Sequence, residues 1–116
     1  MTVRKWDVWL ADLNPRRGTE PGKMRPVLVV QTDLLNAVHP STIICPLTTK
    51  INSHAKLLRV HLKKGASCLA KESDVMIDQV RAIDNRRLQK RLGSIDAAAR
   101  ATVAHNLALI LDFDNQ

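Results

Sequence analysis

The sequence predicts an α+β domain: a small, strongly curved antiparallel sheet with one helix packed on it. Three observations carry this. Short branched-apolar runs recur between residues 6 and 80, interrupted by Pro- and Gly-bearing loops. From Ser94 the apolar spacing changes to about four residues, the stripe of an amphipathic helix. Strands first and a helix last is the α+β order.

Each element can be justified in turn. W6-D-V-W-L-A-D-L13 alternates, with Trp6, Val8 and Leu10 on one face and Asp7, Trp9 and Ala11 on the other. N14-P-R-R-G-T-E-P-G-K-M24 holds two Pro, two Gly and four charges, and reads as a long loop of the kind that carries function. V27-L-V-V-Q31 is the second strand, and D33-L-L-N-A-V38 allows one helical turn. T42-I-I-C-P-L-T48 is the third strand, whose Pro46 predicts an edge or a bulge and a kinked approach to Thr48. K56-L-L-R-V-H-L62 places Leu58, Val60 and Leu62 on one side, Arg59 and His61 on the other. V75-M-I-D-Q-V80 closes a set of four or five strands. In the tail, Ile95, Ala99, Val103, Leu107 and Leu111 form the helical stripe, with Ser94 as N-cap and Asp96 in the first turn.

Charge narrows the function. The formal net charge is +7. Residues 1–93 hold 17 Lys/Arg against 8 Asp/Glu, while residues 94–116 hold one Arg against three Asp. A basic body implies a polyanionic partner, either nucleic acid or an acidic protein segment. Trp6, Trp9 and Phe113 are the whole aromatic complement, so base stacking on an aromatic platform is disfavoured and contacts should rest on charge and hydrogen bonds. Cys45 and Cys68 lie 23 residues apart in or near apolar stretches and read as buried, inert thiols. His61 and His105 are expected on solvent-facing sides of their elements, and no spacing predicts a metal or other cofactor. The N-terminus has charges among its apolar residues, unlike a signal peptide, and no run approaches the ~20 apolar residues of a membrane span. A cytoplasmic, single-domain protein over residues 1–116 is expected.

Four stretches then carry a resemblance. W6-D-V-W-L-A-D-L-N-P15, R17-G-T-E-P-G-K-M-R-P-V-L-V-V-Q31, I43-I-C-P-L-T-T-K50 and D78-Q-V-R-A-I-D84 together resemble the MazF/PemK toxins of bacterial toxin–antitoxin pairs. The match spans nearly the whole chain in order. It implies a small SH3-like barrel with a C-terminal helix and a homodimer. It implies a metal-independent endoribonuclease that cuts single-stranded RNA and leaves 2′,3′-cyclic phosphate and 5′-hydroxyl ends. It also implies a cognate antitoxin whose disordered, acidic C-terminal tail wraps the toxin. Arg25 and Thr48 match the family's catalytic Arg and Thr, Glu20 its acidic loop residue, and Gln79 its groove-lining segment. Arg16, Arg17, Lys23, His39, Thr49, Lys50, His54 and Arg81 complete the candidate RNA-binding set, with Arg16, Arg17 and His39 expected to set sequence preference.

The residue chemistry fits this reading. RNA carries its own nucleophile, the 2′-OH, and cleavage needs negative charge stabilised on the phosphate. Arg25 offers a planar, always-charged fork for that task, and Pro26 holds it extended at the strand entrance. Thr48 can donate one hydrogen bond. Glu20 is the candidate proton acceptor, with His39 and His54 behind it. Two other classes remain open: a gyrase-poisoning toxin on the same barrel, and a nucleic-acid-binding module that cuts nothing. The first resembles its family at a Trp-Gly-Ile ending, whereas this chain ends D112-F-D-N-Q116.

Overall fold

A computed structural model describes residues 2–15, 17–20 and 22–113. Seven strands and one long helix follow each other as β1 (Asp7–Asp12), β2 (Met24–Val29), the one-turn helix α1 (Asp33–Asn36), β3 (Ser41–Thr48), β4 (Arg59–Leu62), β5 (Ser73–Met76), β6 (Arg81–Asp84), β7 (Leu88–Ser94) and α2 (Ala97–Ile110). All pairings are antiparallel, in the order β4-β5-β3-β2-β1-β7, with β6 on β3. Two register shifts between β1 and β7 bend this end of the sheet, as bulges do.

The path is open, which corrects the expectation of a barrel: among the described residues β4 and β7 stand at opposite ends without pairing. The sheet forks at β3 instead. One side of β3 pairs with β6 over Ser41–Ile44 and with β5 over Leu47 and Thr48. Cys45 and Pro46 fall between. Pro46 is therefore in a central strand rather than at an edge, in regular register with Val27 on the other side. The gap in the ladder is where a residue without an N–H can sit.

Alternation distributes two cores over the two faces. Val8, Leu28, Cys45, Leu47, Val60, Leu62 and Val75 pack with Ile95 and Val103 under α2. Trp9, Ala11, Val27, Val29, Ile44, Ile83 and Leu88 make a second cluster. The helix begins later than expected: Asp96, not Ser94, is its N-cap and accepts from the Ala99 N–H at 2.9 Å. Ser94 ends β7. Leu111 is exposed at 46%, and buried Asn106 takes a place on the inner face by donating to the Lys56 carbonyl at 3.3 Å. Strands β6 and β7 were not foreseen, since R81-A-I-D84 and L88-Q-K-R-L-G-S94 bury little besides Ile83 and Leu88. The expected strand 75–80 stops at Met76 and turns through a 3-10 segment, Ile77–Gln79, into β6. Cys45 is buried, and burial pushes its thiol up to about 12; Cys68 is exposed, contrary to expectation, in a left-handed turn.

Candidate active site

Strand β2 begins at Met24, so Arg25 and Pro26 lie inside it rather than before it. The β2–β3 register pairs Val27 with Pro46 and Leu28 with Cys45. Carried two residues on, it brings Arg25 opposite Thr48. On the far side of β3, Thr48 pairs with Asp74, and Asp74 pairs with His61 on β4. Paired residues share a face, so Arg25, Thr48, Asp74 and His61 form one polar row across four strands. Arg59 joins the same face opposite Met76. The reverse face of these strands is the apolar core under α2. Chemistry and packing are thus divided by the sheet.

The Arg25–Thr48 end of the row opens, with Arg59, into a cleft of about 690 Å³. Lys23, Arg25, Thr48, Thr49, Lys50, Arg59 and Lys71 line it, with Asn14, Gly22, Pro26 and Met76 among the remaining walls. Among the described residues no carboxylate lines it, so its charged lining is all cationic and creates a field that attracts anions. Arg25 is fixed rather than dangling: its Nε donates to the Gly22 carbonyl at 3.2 Å and its Nη1 to the Leu47 carbonyl at 3.0 Å. Two acceptors on two different segments set the plane of the guanidinium beside Thr48. The Thr48 hydroxyl accepts from the Lys50 N–H at 3.1 Å, which leaves its own proton to donate.

Arg59 is anchored in a similar way. Its Nη1 donates to the Lys50 carbonyl at 3.0 Å and to Asp74 Oδ2 at 3.2 Å. The Asp74 carboxylate, 2% exposed, also accepts from the Asn52 N–H at 2.9 Å and meets His61 Nδ1 at 3.1 Å. Burial pushes its pKa up, but the hydrogen bonds from Asn52, His61 and Arg59 outweigh burial and hold the carboxyl below its ordinary value. His61 is exposed as expected and its Nε2 lies 3.4 Å from Glu72.

The structure thus brings Arg25, Thr48, Lys23, Thr49 and Lys50 into one cleft. Glu20 does not line it; Oε2 of Glu20 lies 3.7 Å from Nη1 of Arg81. Gln79 sits half-buried in the turn between β5 and β6, and His39 is exposed, its ring bound to Ser41 at the start of β3. His54 is exposed in the turn whose N–H it gives to Asn52 Oδ1. Arg17 is exposed on the β1–β2 loop, and Arg16 lies outside the described residues. Sequence reasoning missed Arg59 and Asp74 as site residues. The signal was present in the alternation of R59-V-H-L62 and S73-D-V-M76, but only their pairing puts those polar positions beside Thr48.

Comparison with known proteins agrees with this fold. The family model described as PemK-like, MazF-like toxin of type II toxin-antitoxin systems matches residues 4–111. An endoribonuclease MazF from Staphylococcus epidermidis is 33% identical over 113 residues, covering 97% of this chain and 94% of that protein. Among solved structures, MazF from Deinococcus radiodurans superposes with a TM-score of 0.83 at 24% identity, over 97% of this chain and 98% of that one. MazF in a MazE–MazF complex from the same organism gives 0.80 at 23% identity, over 98% and 99%. The chain belongs to the PemK-like, MazF-like family of type II toxin–antitoxin toxins.

Proposed function

We propose that this chain, as one domain, is the endoribonuclease toxin of a type II toxin–antitoxin system, acting on single-stranded RNA in the cytoplasm and arresting growth by blocking translation. The single observation that carries the reading is the seating of Arg25 beside Thr48 in a cleft lined by cations and by no described carboxylate. Family membership and the name of the S. epidermidis relative support it.

In this mechanism the 2′-OH attacks the adjacent phosphorus, the bond from phosphorus to the 5′ oxygen breaks, and that oxygen takes a proton from solvent water to leave as the 5′-hydroxyl. Arg25 donates to the non-bridging oxygens as charge grows on them, and Thr48 donates a second hydrogen bond that fixes the phosphate. A guanidinium keeps its protons, so the 2′-OH proton goes elsewhere. Glu20 is assigned that role. Its pairing with Arg81 at 3.7 Å joins two partly exposed groups, a contact of small net worth that RNA can exchange. Lys23, Thr49 and Lys50 hold the flanking backbone. Arg16, Arg17 and His39 set its preferred motif, and His54, Gln79 and Arg81 add RNA contacts. A homodimer and an antitoxin with an acidic, disordered tail complete the system; the cations of the cleft are the complement such a tail needs.

The test is incubation of the purified chain with end-labelled RNA in EDTA, with sequencing of the 5′-hydroxyl ends. Cleavage leaving 2′,3′-cyclic phosphates supports the reading. Gyrase inhibition without cleavage, or RNA binding without cleavage, overturns it.

A further inference from the structure

We propose that Arg59 forms a second phosphate-binding subsite in the cleft, which takes an RNA phosphate next to the scissile one; this rests on the RNA-cleavage reading above. Arg25 approaches Thr48 from β2. Arg59 lies on the opposite side, where Asp74 is the direct cross-strand neighbour of Thr48. The two guanidinium groups therefore flank Thr48, Arg25 from β2 and Arg59 through Asp74, and line one cleft.

The way Arg59 is held favours a binding role over simple charge balance. Asp74 already takes hydrogen bonds from the Asn52 N–H and from His61. A guanidinium has five N–H donors, and the two acceptors bound by Arg59, Asp74 Oδ2 and the Lys50 carbonyl, share Nη1. Nη2 has no partner among the described residues, and the side chain remains 22% exposed along a wall of the cleft. The fork is thus preorganised on one edge and open on the other, the arrangement that lets Arg bind phosphate at low ordering cost. The buried carboxylate below it stops Arg59 from swinging across to the scissile phosphate. Lys50, whose carbonyl anchors Arg59, also lines the cleft and adds a second charge.

The test uses an RNA carrying the mapped cut motif with 2′-deoxyribose at the cut, so that it binds without reacting. For Arg59→Ala the expected Kd rises about ten- to a hundredfold, as for loss of a charged hydrogen-bond pair. The slope of log K against log salt should become shallower by about 0.7, the share of one single-strand phosphate. Arg59→Lys should restore the slope and part of the affinity. A neutral methylphosphonate at the flanking phosphate should weaken wild-type binding and leave Arg59→Ala indifferent. Where Arg59→Ala unfolds because Asp74 loses its partner, the Arg59→Leu, Asp74→Asn double variant removes both charges and is read in the same way. Wild-type cleavage with an unmoved salt slope in the variant, or an equal methylphosphonate penalty in both proteins, overturns the subsite alone. A wild-type chain that neither binds nor cuts RNA overturns the subsite together with the reading beneath it.

Discussion

Replacing Arg25 is the sharpest perturbation available, and its size can be worked from the geometry. Arg25→Ala removes a charged donor from the phosphate, a loss of about 10²–10³ in rate, or ~2.7–4 kcal/mol of transition-state stabilisation. It also strips the Gly22 and Leu47 carbonyls of their side-chain donors. Two neutral-acceptor bonds contribute about 1–3 kcal/mol of stability together. At roughly 4–8 °C per kcal/mol for a domain near this size, the melting temperature should fall measurably, yet the protein should stay folded at 25 °C. Arg25→Lys is the informative partner. An ammonium has three donors and no plane. If two of them replace the anchors, one remains for the phosphate; if it releases the anchors, its position is lost. Its rate should fall between wild type and Arg25→Ala, about tenfold down. The assay is single-turnover cleavage of a fluorescent RNA in EDTA at saturating enzyme, with circular dichroism as the folding control. A folded Arg25→Ala that cuts within about threefold of the wild-type rate would refute the placement of transition-state charge at this residue.

Other outcomes follow from the same structure. Asp74→Asn should lower stability by about 2–4 kcal/mol at pH 7, because a buried carboxylate serving three donors is replaced by an amide. The folded pKa of Asp74 is depressed, so its contribution is full above the unfolded value of about 3.9 and is lost as pH falls through the folded value. Urea unfolding at pH 7, 5 and 3 should show the two proteins converging only at the acid end; a constant difference would contradict this. Gly93→Ala places a Cβ 3.0 Å from the backbone of Ser67, which cannot swing aside as a side chain would, and should cost about 1–3 kcal/mol by thermal melting. Iodoacetamide should label one thiol per native chain, at exposed Cys68, and a second only in denaturant, because Cys45 is buried with its thiol pushed up to about 12. Asp96→Ala should cost about 1 kcal/mol through loss of the helix cap, whereas Ser94→Ala should leave the helix start unchanged.

How much of this was legible in the sequence depends on what each residue does. β1, β2 and β3 announce themselves because both of their faces are largely buried, giving runs such as V27-L-V-V30. β7 shows the opposite: Gln89, Lys90 and Arg91 are exposed, so its strand character comes from backbone pairing with β1 and leaves no apolar rhythm. The cap moved from Ser94 to Asp96 because β7 continues through Ser94, a tertiary decision that local preference does not contain. Arg25 and Thr48 were singled out by resemblance alone, since an Arg before a Pro and a Thr in a strand are ordinary. The structure adds their juxtaposition. Arg59 and Asp74 were invisible as site residues because they stand 15 residues apart and meet only through the pairing of β4, β5 and β3.

The fork at Pro46 has an evolutionary consequence. Downstream of it, the β4–β5 ribbon carries Arg59 and its carboxylate; upstream, β6 is the neighbour of β3 on that side. Because the ladder is interrupted between them, insertions in the 49–58 connection can reshape one flank of the groove without transmitting a slip to the other. Target preference could then drift by editing a single ribbon, while the Arg25–Thr48 couple stays seated on the undivided side of the strand.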